Sequence, residues 1–150
     1  MPFTLEIVTP ERLAWKGEAS ALVLPTIDGE VGILPKHEPY VTVLGAGEGR
    51  ITALDGSIEY IAIIGGFVQV RPDRVVVLAE SADLSGELDT AAVEKAKAAA
   101  EAAISGAGTQ DPASLATARA SLSRALLHLR VAERRDVRRR RRRWRPQDVL

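Results

Sequence analysis

The chain contains no cysteine, only two histidines (His37 and His128), and two each of Phe, Tyr and Trp in 150 residues. Without cysteine there is no disulfide framework and no thiolate metal site. Two histidines exclude a His-rich metal centre and leave little from which to build a His-based catalytic triad. No G-x-x-x-x-G-K-[ST] phosphate loop is present. The longest apolar stretch, Ile61 to Val70, is interrupted by Gly65-Gly66 and falls short of the ~18 residues of a membrane span. The opening "MPFTLEIVTPE" has neither the basic start nor the apolar run of a signal peptide. These absences point to a chain on the cytosolic side, peripheral to something larger. With 46% hydrophobic residues and few aromatics, it can bury a core built of Val, Ile, Leu and Ala.

The formal net charge of zero conceals a segregation. Residues 1–129 carry ten Lys/Arg against seventeen Asp/Glu, a net of −7, and residues 130–150 carry ten Arg against three acids, a net of +7. Six consecutive arginines, Arg138–Arg143, precede Trp144. A basic run beside an aromatic is the composition of a phosphate grip, but a nucleic-acid-binding domain usually has a basic body, and this body is acidic.

From Phe3 to Glu80 the pattern is that of strands. Phe3, Leu5 and Ile7 alternate with Thr4, Glu6 and Val8, and "ALVLPT", "VGILP", "YVTVL", "RITAL", "IEYIAII", "FVQVR" and "RVVVLAE" follow, each bounded by Gly, Pro or Asp. Short strands at this spacing predict a sandwich or barrel. Asp55-Gly56 suits a type I′ hairpin turn, and Pro72-Asp73 places proline where a turn wants its fixed φ. "GAGEG" at Gly45–Gly49 imitates a nucleotide-binding loop but leads into a strand, so no helix N-terminus awaits a pyrophosphate; a plain hairpin loop is expected. Asp28 and Glu30 form a carboxylate pair able in principle to do acid–base work, yet they fall in a turn, and a structural role is expected.

Past Ser85-Gly86 the character changes to helix. "LDTAAVEKAKAAAEAAISG" opens at Asp89 as N-cap and ends at Gly106 and Gly108. A second helix takes Asp111 as cap and Pro112 at its first position. In it Leu115, Leu122 and Leu129 recur every seven residues with Ala118, Ala125 and Ala132 as companions, a narrow Leu/Ala seam. Continuing the seam puts Asp136, Arg139 and Arg143 at its core positions, so from about Arg135 the chain is either a projecting helix end or disordered. The expected architecture is α+β, mainly β: a β-sandwich over 1–86, an antiparallel two-helix hairpin over 87–137, and an Arg-rich tail over 138–150.

One segment remains, "DGEVGILPKHEPYVTVL", in which Pro35 and Pro39 stiffen the backbone around His37. Gly29, Gly32, Pro35, His37 and Pro39 match a G-x-x-G-x-x-P-x-H-x-P pattern, "GGFVQVRPDRVVVLAESA" follows at the right distance, and "SLATARASLSRALLHLRVAE" closes the series. Together these motifs resemble the epsilon subunit of the bacterial F-type ATP synthase, from Phe3 to about Val137. The resemblance implies a non-catalytic rotor subunit, binding no cofactor. It lies between the gamma subunit and the proton-driven c-ring at the cytoplasmic face of the cell membrane, and couples ring rotation to ATP synthesis. It implies that Glu30 and His37 contact the polar loops of the ring. The hairpin is implied to be a regulator that inhibits ATP hydrolysis, with Arg119, Arg124, Arg130, Arg134 and Arg135 facing an acidic part of the alpha/beta head. Some relatives bind ATP between the helices through [IL]-D-x-x-R-A. Here Leu88 and Asp89 are present, but Ala92 and Val93 stand where Arg and Ala would be, so weak or absent ATP binding is expected. For the arginine run three readings stand open: an extension of the basic helix toward acidic surfaces of the head, a solvated tail, or contact with anionic lipid. A nucleic-acid or anionic-surface binding module is the alternative from a different class.

Overall fold

The computed structural model describes residues 2–106 and 111–143, as backbone alone from residue 135 onward. The chain divides between Ser85 and Gly86 into two compact units. The first contains strands β1 (Phe3–Val8), β2 (Leu13–Thr26), β3 (Gly29–Ile33), β4 (Tyr40–Val43), β5 (Ala46–Ala53), β6 (Ile58–Val70) and β7 (Arg74–Leu84). The second contains α1 (Thr90–Gly106) and α2 (Pro112–Arg143), which pack on each other.

The strands run in the order β1-β7-β6-β5-β2-β3, β4 adds to β6, and a β1–β2 pairing closes the ring. Three long strands serve both layers of the resulting sandwich. β2 pairs with β1 through residues 13–19, with β5 through 19–23 and with β3 through 22–26. Its passage between layers is the register shift at Ser20, whose hydroxyl donates to the carbonyl oxygens of Thr52 and Ala53 at 3.3 and 3.2 Å. Such an irregularity bends a strand and increases its twist. β6 pairs with β5 through 58–64 and with β4 through 67–70. Its corner is Gly65-Gly66, with φ of 66° and 100°. A Cβ on Gly66 would be driven into the Leu78 carbonyl oxygen and lie 2.7 Å from Ala79 Cα. The sequence reading split this strand at the two glycines; ladder hydrogen bonds carry it through them because glycine alone tolerates both the φ and the contact.

Between the layers lies the aliphatic core. Phe3, Leu5, Ile7, Val68, Val70, Val75 and Val77 meet Leu22, Leu24, Ile33, Ile51, Ile61 and Ile63 in one cluster. Every second residue of β1 is buried, as the alternation predicted.

Local chemistry departs from expectation in two places. "GAGEG" is not a hairpin loop: from Ala46 onward it is the start of strand β5. Gly47 comes up against the Pro25 ring, and Gly49 against Ile61 and the Val23 carbonyl oxygen, so these glycines permit close strand approach instead of a turn. At Asp55-Gly56 only Gly56 has positive φ, whereas a type I′ turn needs it at both central residues. The Gly56 N–H donates to Ala53 O at 3.0 Å and the Ala53 N–H to Ser57 O at 2.8 Å. That is a type I turn closed by a left-handed glycine.

Both helix caps are where the sequence puts them. Asp89 Oδ1 accepts from the amides of Ala91 and Ala92, and Asp111 Oδ1 from that of Ala113. Ala96, Ala99, Ala100 and Ala103 face Ala113, Ser114, Thr117, Ala118 and Ser121 across an open groove. The end of α1 therefore meets the start of α2, and the helices are antiparallel. Along the seam Ala125 and Ala132 are buried and Leu115, Ala118, Leu122 and Leu129 are half-buried. Leu127 and Val131 are also buried, a second stripe one turn apart that the heptad reading did not include. The backbone of α2 stays helical through Arg143. Among the described residues no helix is long and apolar enough to cross a membrane.

Candidate functional site

The stiff segment noted in the sequence forms one edge of the sandwich. Its first turn is closed by Thr26, whose hydroxyl donates to Gly29 O at 2.7 Å and accepts the Asp28 amide at 3.2 Å; Gly29 has φ 117°. Glu30 follows at the start of β3, exposed and paired in register with Pro25. β3 ends at buried Ile33, and a second turn runs over Leu34–Pro39, with the His37 amide donating to Leu34 O at 3.2 Å. His37 Nδ1 lies 2.7 Å from the Glu38 carbonyl oxygen. A carbonyl can only accept, so Nδ1 carries the proton and Nε2 is the acceptor of the neutral ring. The Tyr40 ring, centred 6.1 Å away and tilted by 49°, flanks it.

Glu30 and His37 thus stand at opposite ends of β3. They share an edge but not a pocket, which suits surface contact better than chemistry at a single point. Asp28 and Glu30 are both exposed. Among the described residues no three His, Asp or Glu side chains gather as a metal site.

In the helical unit, Arg119, Arg124, Arg130 and Arg134 are exposed; the Arg135 side chain lies outside the described residues. At 100° per residue, Arg119, Arg130 and Arg134 fall on one stripe of α2, and Arg124 and Arg135 on another. Leu88 and Val93 are buried, and Asp89 spends its carboxylate on the cap. Ala92 is exposed and supplies no donor for a phosphate.

A further feature was hidden in the sequence. Val43 pairs with Phe67, Phe67 with Leu78, Leu78 with Val8, and Val8 with Leu13. Partners in register point to the same side, so these five residues form one row across β4, β6, β7, β1 and β2. It lies on the outer face, since the inward positions are those of the core. Leu13, Val43, Phe67 and Leu78 are 52%, 51%, 46% and 40% exposed. Single exposed apolar residues are ordinary, but a contiguous row marks a surface made to be covered. Only the strand register brings these residues together.

Residues 2–85 match the family model described as the ATP synthase, Delta/Epsilon chain, beta-sandwich domain. The ATP synthase epsilon chain of Dehalococcoides mccartyi is 47% identical over 133 residues, covering 87% of this chain and 92% of the relative. That of Herpetosiphon aurantiacus is 42% identical over 133 residues, 89% of this chain and 96% of the relative. Among solved structures, a chain of the Euglena gracilis mitochondrial ATP synthase (OSCP/F1/c-ring, rotational state 1) shares the fold with a TM-score of 0.67 at 22% identity, over 91% of this chain and 80% of that one. A chain of the Tetrahymena thermophila mitochondrial ATP synthase central stalk and c-ring does so with 0.54 at 17% identity, over 88% and 97%. The chain belongs to the ATP synthase epsilon chain family, whose members are non-catalytic subunits of the central stalk of the rotor.

Proposed function

We propose that this chain couples rotation of a proton-driven c-ring to ATP synthesis by bridging the ring and the gamma subunit, on the cytoplasmic face of a bacterial cell membrane. The observation that carries this reading is the exposed row Leu13–Val8–Leu78–Phe67–Val43, which gives the sandwich a broad apolar seat for gamma. Glu30 and His37, on the β3 edge, are the contacts for the polar loops of the ring. The closed strand ring and aliphatic core between these two surfaces supply the stiffness that torque transfer requires. In this assignment residues 1–86 are the coupling domain and 87–137 the regulator. The arginines Arg138–Arg143, on the last turns of α2, carry its basic character onward toward the head.

The helical hairpin acts as a brake on hydrolysis. A seam of alanines and a few leucines is small enough to exchange one partner for another. Arg119, Arg124, Arg130, Arg134 and Arg135 offer α2 a basic surface for an acidic part of the catalytic head. The test is ATP hydrolysis by the purified head of the same synthase stripped of its own epsilon subunit, with the full chain or a chain ending at Leu88 added back. Both are expected to bind and only the full chain to suppress hydrolysis. Failure of the full chain to bind the head would overturn the assignment.

A further inference from the structure

The face bearing the apolar row changes chemistry toward one end. β6 and β7 turn at Pro72-Asp73, where the Arg71 amide donates to Arg74 O at 2.8 Å and the Arg74 amide to Arg71 O at 3.4 Å. Arg71 continues the outward alternation of Phe67 and Gln69 on β6, and Arg74 that of Leu78 and Val76 on β7. The four side chains of Gln69, Arg71, Arg74 and Val76 line a mainly polar cleft of about 200 Å³. That is smaller than the roughly 300–1,000 Å³ of small-molecule sites, so it has room for one functional group, not for a nucleotide.

Two arginines lining one small polar cleft call for an anion, and the chain itself only partly provides one. Arg74 Nη2 approaches the Glu6 carboxylate oxygens at 3.5 and 3.4 Å, with both side chains solvent-accessible; loose pairs of this kind contribute little. Arg71 has no ion pair among the described residues. The acid of the turn, Asp73, is exposed and does not line the cleft.

We propose that this cleft receives a carboxylate side chain from the chain that covers the apolar row. The inference rests on the reading that gamma is that chain, and it adds a requirement on gamma's chemistry. From Phe67 to Arg71 is four residues along β6, about 13 Å at the rise of an antiparallel strand. Gamma must therefore present an Asp or Glu about 13 Å from its apolar contacts, or about nine residues away if a helix lies along β6. The planar forks of Arg71 and Arg74 suit a carboxylate held by paired hydrogen bonds. The apolar row has no direction of its own, and a charged link at one end sets the register and speeds the encounter.

The test is binding of the full chain to the isolated gamma subunit of the same synthase at low and high salt. Arg71→Gln/Arg74→Gln is expected to weaken binding about tenfold or more at low salt and to flatten the salt dependence. Phe67→Asp is expected to abolish binding at both. Both variants change exposed side chains, and unchanged melting curves confirm that each is folded. If Phe67→Asp fails to bind while the double Gln variant keeps the affinity and salt dependence of the parent, the carboxylate inference is overturned and the gamma seat stands. If Phe67→Asp binds normally, the seat itself is wrong and the inference falls with it. If the double Gln variant loses affinity for isolated c-ring but not for gamma, the carboxylate belongs to the ring and the proposal is overturned as stated.

Discussion

The amide of Lys36 donates to the carbonyl oxygen of Pro72 at 2.9 Å, with Lys36 held at φ 63°. This bond ties the His37 turn to the β6–β7 hairpin tip, 36 residues away in sequence. Among the described residues Lys36 is the only non-glycine with positive φ, a conformation that costs an L side chain roughly 1–2 kcal/mol. Its retention in a segment proposed to meet the ring is backbone strain at a functional edge.

Lys36→Gly is accordingly expected to stabilise the sandwich, by about 0.5–1 kcal/mol once the greater freedom of glycine in the unfolded chain is deducted. Lys36→Val, with a branched Cβ at the same φ, is expected to destabilise it. Urea unfolding of the three proteins tests this; a glycine variant clearly less stable than the parent would show that the left-handed turn carries no strain.

Gly66→Ala is expected to cost about 3 kcal/mol or more, because its Cβ meets the backbone of Leu78 and Ala79, not a movable side chain. Gly86→Ala has open space around it and no positive φ, and is expected to be neutral or slightly stabilising. Thermal melts of the pair should separate widely. Equal melting points would contradict the corner assigned to Gly65-Gly66.

Asp89→Ala removes the acceptor for the amides of Ala91 and Ala92 and should cost about 1 kcal/mol of helical stability. The measurable sign is faster amide exchange at those two residues, with the sandwich amides unchanged. The same geometry bears on nucleotide binding, since Asp89 is already engaged and Ala92 offers no guanidinium. Calorimetry of the isolated chain with millimolar ATP is expected to give no saturable heat.

Glu30→Gln changes an exposed side chain at the start of β3 and His37→Ala a half-buried one in the turn that follows β3, and each is expected to leave stability within about 0.5 kcal/mol of the parent. In reconstituted synthase the double variant should lower the protons moved per ATP hydrolysed while the head's intrinsic hydrolysis persists. Full coupling with both side chains gone would place the ring contact elsewhere.

Much of this was legible residue by residue. The caps at Asp89 and Asp111, the Pro72 turn, the inward alternation of Phe3, Leu5 and Ile7, and the spacing of Gly29, Gly32, Pro35, His37 and Pro39 are local, and local sterics and hydrogen bonding settle them. The strand at Leu13–Ser20 is not legible in the sequence, because "LAWKGEAS" shows no clean alternation; it is held by pairing with β1. The glycines of "GAGEG" read as a loop because their purpose is the proximity of Pro25 and Ile61, residues far away in sequence.

By itself, the sequence determined a β-domain followed by two capped helices, the segregation of charge, and the rigid turn around His37. Tertiary structure alone decided which exposed residues stand together. Leu13, Val8, Leu78, Phe67 and Val43 become one surface only through the register of five strands, whereas Arg71 and Arg74 are brought together by the local Pro72-Asp73 hairpin. Register is a long-range property: a one-residue slip in any strand would turn its share of the row into the core.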